Sequence, residues 1–105
     1  MVDYIRPTGK DGRVGVEGAV DAKTIGATNT AVLAADAKRD LVILTNNGSE
    51  RVDIAFGADA EAGKGMGLAA GAGKVIDAAE GAMMEINAIC ASGGLSLSVA
   101  TITRR

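Results

Sequence analysis

The chain has 105 residues and a formal charge of −2, from 11 Lys and Arg against 13 Asp and Glu, with one cysteine and no histidine. At this length one domain of about 13 Å radius is expected, with a single core and no room for a deep internal active site. The missing histidine excludes a His-based catalytic triad, and the lone Cys90 excludes an internal disulfide and an ordinary zinc site.

Residues 1–29 are the least regular stretch. Pro7 and glycines at 9, 12, 15, 18 and 26 punctuate it, and glycine inside a helix costs about 1 kcal/mol relative to alanine. The stretch reads as an extended Gly-rich arm with short strands around Val14–Val20 and Lys23–Ile25. Its Tyr4-Ile5 pair suits packing either on a neighbouring molecule or back on its own domain. Arg6, Lys10 and Arg13 against Asp3 and Asp11 give residues 1–13 a charge of +1. The basic, apolar and small-residue order of a signal peptide is not seen, so secretion by that route is not expected.

A β-sandwich domain is expected over residues 30–105. Thr30–Ala34 reads as its first strand and Ala35–Asp40 as a connection. Leu41–Thr45 and Val52–Phe56 are β-branched, apolar runs on either side of Asn46-Asn47-Gly48-Ser49. An Asn-Gly between two such runs predicts a hairpin turn with positive φ. Val52, Ile54 and Phe56 alternate with Arg51, Asp53 and Ala55, which predicts one buried side and one facing water or a partner. Residues 57–82 hold seven Gly and nine Ala. So many glycines oppose helix, and the segment reads as a mobile loop, a strand at Met66–Leu68, a turn at Ala70–Gly73 and a strand at Lys74–Asp77.

Met84, Ile86, Ala88 and Cys90 alternate with Glu85, Asn87 and Ile89 in the manner of a strand. A rival helix would begin at Asp77, with Glu80 completing a capping pair. Ser92-Gly93-Gly94 reads as a turn, and Leu95, Leu97 and Val99 alternate with Ser96, Ser98 and Ala100 in a last strand reaching Ile102. The expected core is Val52, Ile54, Phe56, Ile86, Leu95, Leu97 and Val99. The fold class is all-β: a small antiparallel β-sandwich or jelly roll with an extended N-terminal arm.

Chemistry is sparse along this chain. Gly63-Lys64-Gly65-Met66-Gly67 misses the P-loop register, because Ala58 stands five before Gly63 and Gly65 follows the lysine. Asp59 and Glu61 lack the spacing of a calcium loop. A two-carboxylate glycosidase would want aromatics to grip sugar, and Tyr4 and Phe56 are the only two. Cys90, beside Ile89, Ala91 and Ser92, has no basic neighbour to stabilise a thiolate and reads as a buried small residue. No enzyme activity and no cofactor or metal is expected. Arg104 and Arg105 add +2, which leaves the body of the chain at −5. An acidic body repels phosphate backbones, so nucleic acid is not an expected partner. No apolar run reaches 18 residues, so no membrane span is expected either.

From Thr30 onward the pattern of strands and turns resembles a small β module of tailed-phage structural proteins. Ala31-Val32-Leu33 matches its leading strand, Ala37-Lys38-Arg39-Asp40 a charged stretch, Leu41–Asn47 an apolar strand ending in Asn-Asn, and Val52–Gly57 a strand ending in Phe-Gly. Gly67-Leu68-Ala69-Ala70-Gly71, an Ile and Ala strand, a Gly-Gly turn and a closing strand complete the resemblance. The likeness is to the jelly-roll cement, or head decoration, proteins of short-tailed phages. It implies a virion protein, made in the host cytoplasm, that sits on the outer capsid surface. Its partners would be the major capsid protein and a second copy of itself, as a homodimer or alternatively a trimer. Capsid contacts would then come from the arm (Tyr4, Ile5, Arg6, Arg13), the basic end (Arg104, Arg105) and the Gly-rich loop (Lys64, Met66). The alternative is a binding module of a tail fibre or host-attachment protein.

Overall fold

Residues 16–104, the part of the chain that the computed structural model describes, form eight strands. They are β1 (Val16–Ile25), β2 (Thr30–Leu33), β3 (Arg39–Asn46), β4 (Val52–Phe56), β5 (Met66–Leu68), β6 (Gly73–Asp77), β7 (Ile86–Cys90) and β8 (Leu95–Arg104). Every pairing is antiparallel. The strands make two sheets, ordered β1-β8-β3-β6 and β2-β7-β4-β5. This interleaved order is that of a jelly roll, two Greek keys folded over one core.

Period-two alternation builds that core. Ile25, Val42, Leu44, Ile76, Leu95, Leu97 and Val99 from the first sheet meet Val32, Val52, Ile54, Leu68, Ile86, Ala88 and Cys90 from the second. Burying a Val, Leu or Ile contributes about 1.5–3 kcal/mol. Phe56, expected among them, is only half-buried against the cluster's edge. The Cys90 thiol is buried and free, and donates to the Ile25 carbonyl at 3.3 Å, which ties the two sheets together.

The Asn47-Gly48 hairpin expected from the sequence is not there. β3 and β4 belong to different sheets, so Asn46–Arg51 is a corner between layers rather than a hairpin turn. Gly48 is not among the glycines with positive φ. It is needed for space instead: a Cβ on it would stand 2.6 Å from Leu95 Cγ and 2.8 Å from Cδ1. Asn46 holds the corner. Fully buried, it donates from Nδ2 to the carbonyls of Glu50 (2.8 Å) and Leu68 (2.9 Å) and accepts the Gly48 N–H at 2.8 Å.

The structure revises three more readings. The sandwich does not begin at Thr30, because β1 pairs residue for residue with β8 from Val16 to Ile25 as one unbroken strand. The rival helix at Asp77 shrinks to a single 3-10 turn, Ala78–Glu80, though its capping box forms as anticipated. Asp53, placed by alternation on a water-facing side, is buried. The 57–65 loop lies over it, with Gly63 N–H donating to Asp53 Oδ2 (3.0 Å) and Asn87 Nδ2 to the Ala58 carbonyl (2.7 Å).

At the opposite end of the sandwich from the Asn46 corner, Arg39 gathers the β2–β3 and β6–β7 connections. Its buried guanidinium donates to the carbonyls of Ala82 (2.7 Å), Met84 (2.8 Å) and Ala34 (3.0 Å).

Candidate functional site

The outer face of the β1-β8-β3-β6 sheet carries the most distinctive surface. Antiparallel register sets Val20 opposite Ala100, Ala100 opposite Ile43, and Ile43 opposite Val75, one apolar row across all four strands. Residues directly opposite share a face, and these are exposed: Val20 by 84%, Val75 by 52% and Ile43 by 36%. Ile102, 38% exposed, and Leu41 continue the apolar surface in the next row, ending at Asp77. On the other flank Ala22, Ser98, Thr45 and Gly73 form a row of small residues, two of them with hydroxyls. The result is an apolar band with a polar rim, the layout of a protein-binding surface. Its sequence signal was the run Leu41-Val42-Ile43-Leu44, apolar on both faces of a strand although only one can point to the core.

Of the residues singled out from the sequence, Tyr4, Ile5, Arg6, Arg13 and Arg105 lie outside the described residues. Lys64 is exposed on the 57–65 loop and pairs with Glu61 at 3.1 Å. Met66 is half-buried against the core and so serves packing more than contact. Arg104 is engaged within the domain: its Nε pairs with Asp40 (2.9 Å) and its Nη2 donates to the Ala37 carbonyl (3.0 Å). Among the described ones, Lys64, Met66 and Arg104 do not converge on one patch together with the apolar row. Arg104 comes nearest, standing opposite Val16 where β1 enters the sheet.

Other features have structural roles. A shallow groove lined by Ala34, Ala35, Gly57, Met83, Met84 and Glu85 opens beside the Arg39 end. Arg51 lies across Gly67, where a Cβ would strike its guanidinium, and pairs with Asp53 at 2.8 Å. Glu50 accepts hydrogen bonds from the hydroxyl and N–H of Ser92, which hold its carboxyl below its ordinary pKa. Burial pushes the Arg39 guanidinium below its ordinary value, with Asp36 opposing. Among the described residues no group of three or more His, Cys, Asp or Glu side chains is placed to hold a metal ion. No helix among them is long and apolar enough to cross a membrane.

No known family matches the chain, and neither does any curated protein sequence. Among solved structures it is similar to a protein of the Bacillus endospore appendages, described as forming a novel family of disulfide-linked pili. That likeness has a TM-score of 0.58 at 13% identity and covers 98% of this chain and 97% of that one. It shows a shared small all-β fold.

Proposed function

We propose that the chain is a virion structural protein that binds the outside of an icosahedral phage head and clamps neighbouring major capsid subunits. The observation that carries this reading is the exposed apolar row Val20–Ala100–Ile43–Val75 on an otherwise satisfied jelly roll. A wide, flat, apolar sheet face suits another protein surface. It does not suit a sugar, because Phe56, the one aromatic among the described residues, packs against the core. Nor does it suit a phosphate backbone, given the acidic body of the chain. In this reading the action is one of contact area, not bond making. Each copy need bind only moderately, because simultaneous contacts with several capsid subunits raise the effective concentration of the rest. The disulfide linkage named for the appendage pili has no counterpart here, since the single cysteine is buried.

Add-back to heads stripped of the protein tests this. Ile43→Glu and Val75→Glu each place a charge on the apolar band without touching the core. Each is expected to weaken head binding by about ten-fold or more, because a carboxylate is buried against an apolar contact. Variant proteins that bind as well as the wild type would remove the face from the account. Glycan or cell binding by the isolated protein, without any effect on heads, would support the host-attachment module instead.

A further inference from the structure

Of the four sheet edges, β1 is much the longest, ten residues against five for β6, four for β2 and three for β5. Among the described residues nothing pairs with its outer side. Native edges of this kind are protected by proline, bulges, brevity or charged side chains, and of these β1 has only the charges Glu17, Asp21 and Lys23. β1 has no proline, and its register with β8 is unbroken. The open backbone is visible at Ala22, whose N–H is taken up by the Asp21 carboxylate at 2.8 Å. An N–H aimed at β8 would not be free for that contact. By strand alternation the backbone groups of Gly18, Val20 and Ala22 therefore line the open side.

We infer that β1 is a self-association edge: two copies pair antiparallel through it about a two-fold axis at Val20, joining two four-stranded sheets into one of eight. Charge selects that register. With Val20 opposite Val20 of the second copy, Gly18 faces Ala22 and Glu17 faces Lys23, and symmetry repeats each pair. An axis at Ala19 would instead set Glu17 against Asp21, and an axis at Asp21 would set that carboxylate against itself. Like charges directly opposite are destabilising. An axis at Ala22 restores an Asp21–Lys23 match but sets Val20 against Thr24. Only the axis at Val20 also continues the apolar row, so that Val75, Ile43, Ala100 and Val20 run on into their symmetry mates. Val20, the most exposed large apolar side chain described, is then covered. The inference goes beyond the head-binding reading and does not depend on it, because the contact is between two copies in solution.

Sedimentation of the full chain without phage heads is the test. The wild type should sediment at twice its 10.5 kDa subunit mass at tens of micromolar. Val20→Lys should sediment as a monomer, and at concentrations too low for the wild type to dimerise the two should melt together, since the Val20 side chain is exposed. Val20→Cys should cross-link to a dimer on mild oxidation, where the wild type, with only buried Cys90, does not. Lys23→Glu should weaken the dimer, and Glu17→Lys added to it should restore the dimer. A monomeric or trimeric wild type would overturn the inference. So would a Val20→Lys dimer, or a dimer that Val20→Cys fails to cross-link.

Discussion

Replacing Arg39 by methionine removes the one side chain that ties both connections at its end of the sandwich. Three hydrogen bonds go, to the carbonyls of Ala82, Met84 and Ala34 at 2.7, 2.8 and 3.0 Å. Bonds from a charged donor contribute about 1.5–3 kcal/mol each, so the gross loss is roughly 4.5–9 kcal/mol. Removing the charge gives back the several kcal/mol that burying an ion costs. That desolvation is also what lowers the Arg39 pKa. Methionine keeps most of the volume, so little cavity is added. A net loss of about 3 kcal/mol remains, a large fraction of the 5–15 kcal/mol that holds a typical domain. For a domain of this size the melting temperature should fall by roughly 12–24 °C. Urea unfolding followed by circular dichroism gives the free energy and slope together. Arg39→Lys should lose nearly as much, because one ammonium cannot reach three carbonyls set in different directions. An Arg39→Met protein within about 0.5 kcal/mol of wild type would refute the reasoning, since that is the range of an uninvolved surface substitution.

Gly48→Ala should cost about 1–3 kcal/mol by overpacking, because its Cβ meets Leu95 at 2.6 Å. Gly18→Ala, whose added carbon meets only the Thr101 carbonyl at 3.9 Å, should be neutral or slightly stabilising in the same unfolding assay. A pH series tests Glu50, whose hydrogen bonds from Ser92 lower its folded pKa. Such a group stabilises the fold above its unfolded value of about 4.3 and stops doing so as pH falls through the folded value. Glu50→Gln should therefore melt below the wild type at neutral pH, and the two should converge in strong acid. A gap of equal size at both ends of the series would contradict the assignment.

What could be read from the sequence followed from how far burial shaped the local pattern. β5, β6, β7 and β8 fall close to where alternation put them, because each has one face on the core and a glycine or polar break at its ends. β1 was split and assigned to an arm because its alternation is weak. Glu17, Ala19 and Asp21 lie on the sandwich-side face yet stay exposed, so no apolar period marks it. The Asn46 corner was misread for a different reason. Asn-Gly serves a hairpin through positive φ, but here the asparagine is a buried hydrogen-bond hub and the glycine makes room for Leu95. Nothing local separates those two uses. Asp53 was put on the side facing water or a partner and Arg39 in a connection because residue type says nothing about a loop or a set of carbonyls arriving from elsewhere in the chain. The apolar row was hidden likewise: Val20, Ile43, Val75 and Ala100 come from four separate strands and become neighbours only through sheet order.

The most direct test of the central claim is the temperature at which filled phage heads release their contents, measured with and without this protein. Heads carrying the wild-type chain should hold to a higher temperature than heads lacking it. Add-back of wild type should restore the difference, and add-back of Val75→Glu should not. Equal release temperatures with and without the protein would contradict the account.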